Sequence, residues 1–313
     1  MTDITASMVK ELRETSGAGM MDCKAALNET NGDIAAAIDW LRTKGLAKAA
    51  KKAGRVAAEG LVGVMADASK GVGALVEINS ETDFVARNEV FQNMVREIAG
   101  VVLEKADTHS ALLAADFPNS DGQSVEVYVQ EMVGTIGENM TVRRSARLQV
   151  GDGVVADYMH SQTAAGLGKI GVLVALESKG DKDKLSALGR QLAMHVAATS
   201  PLATTVADLD PEDVARERAL LVSEAKESGK PDEIIEKMVE GRLRKFYEEV
   251  VLEEQVFVID GETRIAKLLK QAASDIGDEI KLAGFVRFEL GQGVEKGEDA
   301  GFAAEVAATM GNR

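Results

Sequence analysis

Residues 73–98 align without gaps onto residues 171–196, and this internal repeat constrains the fold more than any other feature of the chain. Gly73 meets Gly171, Leu75 meets Leu173, Val76 meets Val174, Met94 meets Leu192, and Ile98 meets Val196. Each copy starts as an apolar, strand-like run and continues as a helical pattern. In the first copy Phe91, Met94, Val95, Ile98 and Val102 fall at i, i+3, i+4, i+7 and i+11, one stripe of a helix. The matches lie at strand-core and helix-core positions. Two related strand-helix halves packed together are therefore expected, in an α+β fold with antiparallel sheets.

The copies differ in the loop between strand and helix. Thr82-Asp83-Phe84 in the first faces Gly180-Asp181-Lys182 in the second. Two readings of Thr82–Asn88 stand side by side. In one, Thr82 or Asp83 caps the following helix and Phe84 folds into the core. In the other, Asp83 and Phe84 are presented by a loop held on rigid elements. Packing alone would keep a core aromatic in both copies, and aromatics make up only 4% of the chain, so the asymmetry favours the second.

Around the repeat, five segments separate. Residues 1–55 read as three short helices, a docking module with a small core. Thr5 caps the first and Gly17-Ala18-Gly19 breaks it. The second stops at Asn31-Gly32. Asp33 caps the third, which Gly45 is expected to end, and 46–58 then reads as a helical linker. Residues 56–150 form one core half, with strands Leu61–Met65, Val72–Ile78 and Thr141–Leu148, the last carrying Arg143, Arg144 and Arg147. Residues 151–207 and 248–292 form the other half, with a strand Val154–Met159 and His160 at its end, before a small-residue loop 161–168. Residues 208–247 interrupt it as a helical hairpin: Asp210 caps, Pro211 opens, and 229–232 make the turn. Such an arm has too little facing surface to stand alone and is expected to pair with a partner. Residues 293–313 form a C-terminal module with a short helix Phe302–Thr309.

The chemistry-bearing motifs fail one after another. Gly166-Leu167-Gly168-Lys169-Ile170-Gly171 spells G-x-G-x-x-G but precedes a strand, whereas a dinucleotide site needs it to open a helix. There is no phosphate-binding P-loop and no nucleophile elbow. Three histidines and one cysteine, Cys23, make a His/Cys metal site improbable. His195 lies on the stripe of Leu188 and Leu192 and reads as a hydrogen-bonded core histidine. Net charge is −15, which repels a phosphate backbone, so direct nucleic-acid binding is not expected. The basic run Lys44, Lys48, Lys51, Lys52 and Arg55 has no interleaved aromatics and reads as a solvated helix face. No apolar run reaches the roughly 20 residues of a membrane helix, and a cytoplasmic location is expected. No enzyme activity and no cofactor are expected.

Several motifs in order resemble the elongation factor Ts family along essentially the whole chain. They are Leu12–Glu14, Thr15–Lys24, Thr82–Asn88, Ile136-Gly137-Glu138-Asn139, Met194–Ala198 and Glu236–Arg242. The resemblance implies a guanine-nucleotide exchange factor for elongation factor Tu. It implies that residues 1–55 are similar to a ubiquitin-associated domain and dock on the partner's G domain. Thr82, Asp83, Phe84 and Val85 would form a wedge between two partner helices that disturbs its magnesium ion and phosphate loop. Arg87, His160 and Met20 would be further contacts. The hairpin would be a coiled-coil arm, dimeric in some members. One departure is Ser161–Gly168, longer than the family's usual link after the strand histidine. A structural oligomer built on the hairpin, or an enzyme using the cleft between the halves, are the alternatives from other classes.

Overall fold

A computed structural model describes residues 4–105, 107–120, 122–227 and 230–295. The expected helix Phe302–Thr309 lies outside them. Helices α1 (Ala6–Ser16), α2 (Met20–Glu29) and α3 (Ile34–Lys52) open the chain. Thr5 Oγ1 accepts from Met8 N at 3.3 Å, Asp33 Oδ1 accepts from Ala36 N at 3.0 Å, and Gly17 ends α1 in the left-handed region. Leu12, Cys23, Ala26, Leu27 and Ala37 form a small core of their own.

Gly45 does not end α3, and 46–58 is not a separate linker. The helix runs straight through Gly45 to Lys52. The reason is a helix crossing with α6 (Val125–Ile136). A Cβ on Gly134 of α6 would lie 2.6 Å from the Gly45 Cα. Gly134 is the glycine that the close approach requires, and Gly45 is an ordinary helix-interior residue opposite it. The basic run on α3 is also less idle than a solvated face. Lys48 pairs with Asp22 at 2.9 Å, Lys44 sits over the Trp40 ring, and the Lys52 ammonium donates to Gly137 O.

The duplication then governs the rest. The first half runs β1 (Glu59–Asp67), β2 (Val72–Ser80), α4 (Glu89–Lys105), a short α5 (His109–Ala114), α6 and β3 (Met140–Gln149). The second runs β4 (Gly153–Ala164), β5 (Leu167–Glu177), α7 (Lys182–Thr199), the arm α8 (Pro211–Lys226) and α9 (Asp232–Val250), then α10 (Ile265–Ile276) and β6 (Lys281–Glu289). All strand pairs are antiparallel: β1–β2, β2–β3, β4–β5 and β5–β6, with a short β1–β5 contact that joins the half-sheets into one of six strands.

Beyond the gapless stretch, the repeat resumes at a different offset. The bridge Asp116–Ser124 returns as Val256–Arg264, and the Phe117 N to Gln123 O bond returns as Phe257 N to Thr263 O. Gly137 and Gly277 both cap a helix at φ 91°. These pairs are 140 residues apart, the strand-helix pairs 98; the difference is absorbed by the arm, which enters between them.

Why the halves meet can be read at two glycines. A Cβ on Gly73 would strike Val155 at 2.7 Å and Leu173 at 2.8 Å; a Cβ on Gly171 would strike Leu75 at 2.7 Å and Val62 at 2.8 Å. Each copy of the repeat glycine admits the other half's leucine, Leu173 or Leu75. Val62, Val64, Leu75, Val155, Leu173, Ala175 and Phe288 close this inter-half core. The opposite strand faces pack under α4 and α6 in one half and under α7 and α10 in the other. β2 is thus buried on both faces and reads as a continuous apolar run. The predicted stripe of α4 is wholly buried, each such side chain contributing about 1.5–3 kcal/mol.

The arm helices pair through Leu221, Ala225, Ile235 and Val239. Asp210 Oδ1 accepts from Glu212 N at 2.8 Å, and Pro211 takes the first helical position. Among the described residues no helix is long and apolar enough to cross a membrane.

Candidate functional site

β2 ends at Ser80 and α4 begins at Glu89, and the segment between holds Thr82, Asp83, Phe84, Val85 and Arg87. Neither Thr82 nor Asp83 caps α4. Asn88 does so, its Oδ1 accepting from Val90 N at 2.8 Å. Nor does Phe84 fold into the core: it is 74% exposed. The core plug of this loop is Val85, 5% exposed and packed with Leu61, Phe91 and Met94.

The counterpart in the second half explains the difference. There Asp181 caps, with Asp183 N at 3.0 Å and Lys184 N at 3.1 Å from its Oδ1, and α7 begins at once with Lys182, the partner of Phe84 in the repeat. In the first half the same positions stay unwound. A single 3-10 turn, Val85–Arg87, intervenes before α4. The repeat thus turns a helix start into a presented loop.

The loop is held at its base. Glu138 takes Thr82 N on Oε2 at 2.9 Å and Thr82 Oγ1 on Oε1 at 2.6 Å. Ser80 Oγ donates to Thr82 O at 3.0 Å. Within the loop, Arg87 N reaches Phe84 O at 3.1 Å and Asn88 N reaches Val85 O at 2.9 Å. Gln92 Nε2 donates to Ala86 O at 2.9 Å. Backbone and base are tied, while the Asp83, Phe84 and Arg87 side chains are exposed. Glu138 lies within the motif Ile136-Gly137-Glu138-Asn139, and its role at the loop is not visible from local sequence. The nearest signal is the left-handed glycine before it, which ends α6 and returns the chain to the loop.

Met20 is 57% exposed at the start of α2, and His160 is exposed on β4, one of the two outer strands of its half. No hydrogen bond, ion pair or ring contact joins either to the Thr82–Asn88 loop among the described residues. His160 does not end its strand, and 161–168 is not a loop. β4 continues to Ala164, the turn is residues 165–166, and β5 starts at Leu167. Small polar residues there form a hairpin extension, with Gln162 opposite Gly168. The family-length departure is therefore extra ladder beyond His160. His160 Nδ1 lies 3.3 Å from Tyr158 Oη, two residues back on the same strand face. The G-x-G-x-x-G motif falls on this turn and strand, where Gly168 and Gly171 admit Met159 and Leu75; no helix follows it directly.

His195 is buried and not free for chemistry. Its Nδ1 accepts from Val258 N at 3.2 Å, so Nε2 carries the hydrogen toward Gln255 Oε1 at 2.9 Å. Burial pushes its pKa below the ordinary value, with the Gln255 bond opposing. Among the described residues no group of three or more His, Cys, Asp or Glu side chains is placed to hold a metal.

The family model described as Elongation factor TS matches residues 81–292, starting at the base of the presented loop. The chain is 65% identical to Elongation factor Ts of Parvibaculum lavamentivorans over 308 residues, 98% of this chain and 99% of the relative. It is 60% identical to Elongation factor Ts of Rhodospirillum rubrum, covering 99% of each. It is 58% identical to that of Bartonella henselae, covering 97% of this chain and 98% of the relative.

Proposed function

The chain belongs to the elongation factor Ts family, and from that premise we propose that it is a guanine-nucleotide exchange factor for elongation factor Tu in translation elongation. It acts in the cytoplasm by binding, with no chemistry and no cofactor of its own. Thr82, Asp83, Phe84 and Val85 form the element that enters the partner beside its nucleotide. Bound magnesium and loop amides hold nucleotide phosphates electrostatically. A wedge that displaces them lowers GDP affinity, and by linkage GTP binding weakens the wedge's hold and releases the factor. Met20, Arg87 and His160 add contacts on three separate elements, residues 1–55 dock on the G domain, and no nucleic acid is bound directly. The arm supports a homodimer, since Leu220 and Ile234 stay exposed on its two helices.

The observation that carries this reading is a large aromatic, Phe84, held out in solvent on a loop whose backbone is fastened. An exposed aromatic contributes little to folding, and a rigid loop loses little freedom on insertion. Phe84→Ala is expected to slow release of fluorescent GDP from elongation factor Tu at least tenfold, about 1.4 kcal/mol, with an unchanged melting temperature. A collapsed melting temperature with unchanged exchange would reverse the reading.

A further inference from the structure

The turn after the sheet-packing helix is used twice, and its two copies do different jobs. In the second half Asp278 follows the left-handed Gly277 and its Oδ2 accepts from Lys179 N at 2.8 Å. In the first half Glu138 follows the left-handed Gly137 and receives both Thr82 N and Thr82 Oγ1. Each acid fixes the residues just after the central strand of its half. In the second half the chain then enters a helix, and Asp181 supplies a cap. In the first half no helix follows for several residues, and the chain must carry an exposed aromatic there.

An exposed ring on a loose loop tends to fold down onto nearby apolar surface, because burial of apolar area is favourable. What opposes this at Phe84 is the fixed direction of the backbone at Thr82. Both oxygens of Glu138 are engaged, and charge-assisted bonds of this kind are the stronger class. The end of α3 enters the same brace. Asn139 N donates to Glu81 Oε1 at 2.5 Å, Arg55 Nη1 pairs with Glu81 at 3.3 Å, and Asn139 Nδ2 donates to Arg55 O at 2.7 Å. Lys52 holds Gly137 O. The last turn of the docking module's long helix and the base of the Phe84 loop are thus one hydrogen-bonded unit.

We infer that Glu138 is a positioning residue for nucleotide exchange: it sets the direction in which Asp83 and Phe84 leave the body of the protein. The inference rests on the loop being the exchange element. Its test uses full-length Glu138→Ala and Glu138→Gln, each alone and with Phe84→Ala. Each variant is read by fluorescent-GDP release from elongation factor Tu and by thermal melting.

Glu138→Ala is expected to slow exchange at saturating factor about tenfold, the scale of losing the ring it directs, about 1.4 kcal/mol, with a small change in melting temperature. Glu138→Gln should recover most of the rate, because its amide can accept Thr82 N and donate to Thr82 Oγ1. On a Phe84→Ala background, Glu138→Ala should add much less than its tenfold loss in the wild-type background, since its effect passes mainly through the loop that presents the ring. Wild-type exchange by Glu138→Ala overturns the inference. An equal loss on both backgrounds also overturns it, by making Glu138 a direct partner contact. Full exchange by Phe84→Ala alone overturns the loop reading, and this inference with it. Should Glu138→Ala not fold, Glu138→Asp keeps the charge and shortens the reach; an intermediate slowing supports positioning and a wild-type rate refutes it.

Discussion

Arg144 donates from Nε to the Glu77 carboxylate at 2.6 Å, and Glu77 has no exposed surface. Glu77 stands in the middle of β2, on the face toward the second half. It also receives Arg143 Nη1 at 3.0 Å and, from the far end of β6, Gly291 N at 2.8 Å. Arg144 Nη2 reaches back to Glu289 O at 2.9 Å and its guanidinium lies 4.3 Å from the Phe288 ring centroid. One buried carboxylate therefore fastens the last strand of the second half to the second and third strands of the first.

Removing that carboxylate strands two guanidinium groups. Glu77→Gln is expected to cost about 1–3 kcal/mol, the penalty for weakening hydrogen bonds to a buried charged group, read as a lower urea midpoint. Arg144→Lys should also destabilise, because an ammonium cannot serve Glu77, Glu289 O and the Phe288 face together. A midpoint within experimental error of wild type in Glu77→Gln would show that the cluster does not hold the halves together.

The sequence carried part of this organisation and hid part of it, for physical reasons. The gapless match of 73–98 with 171–196 was legible because core positions keep size and period. The second stretch, where Phe117 returns as Phe257 and Gly137 as Gly277, was not, because the arm shifts its offset and few residue types survive. The buried role of Glu77 is invisible to local pattern, since alternation cannot show that the far face of β2 is covered by another half. Gly45 looked like a helix stop, since local propensity does not know of Gly134. The Thr82–Asn88 loop was singled out from sequence, but the acid that braces it lies 56 residues away in the chain.

The crossing of α3 and α6 gives two substitutions of opposite sign, and α4 supplies a third for comparison. Gly134→Ala is expected to destabilise by about 1–3 kcal/mol, because its Cβ meets the Gly45 backbone at 2.6 Å and backbone cannot yield cheaply. Gly45→Ala meets Gly134 only at 3.9 Å, and Gly100→Ala on α4 meets nothing within 4 Å. Each of these two should gain up to about 1 kcal/mol of helix propensity. Chemical denaturation of the three variants checks the order; a stable Gly134→Ala would remove the close crossing as the reason α3 continues.

His195 sets an acid limit on stability. Its pKa is lowered on folding by burial, so the unfolded chain binds a proton more readily than the folded one. Stability from this group is fully present above the ordinary value of 6.5 and falls as pH drops from there toward the lower folded value. Protonation also destroys the acceptor at Nδ1 and with it the bond from Val258 N. His195→Gln cannot titrate, so its urea midpoint should lose this limb of the pH dependence between pH 7 and 5 while sitting below wild type at pH 7. An unaltered slope in the variant would assign the acid limit to other groups.

The arm offers a test of assembly that leaves the core alone. Leu220 on α8 is 55% exposed and Ile234 on α9 is 46% exposed, while the residues joining the two helices are Leu221, Ala225, Ile235 and Val239. Each helix therefore has an apolar residue beside its buried row that the hairpin itself does not cover. If a second copy covers them, wild-type protein should sediment as a dimer at micromolar concentration, and Leu220→Lys with Ile234→Lys should sediment as a monomer. Surface changes of this kind move stability by about 0.5 kcal/mol or less, so the melting temperature of the isolated monomer should barely change. The brace on Thr82 involves neither helix, so the monomeric variant should still release GDP from elongation factor Tu at the wild-type rate. A dimer that survives both substitutions would place the self-contact elsewhere, and a monomeric wild type would leave the arm without a copy of itself as partner.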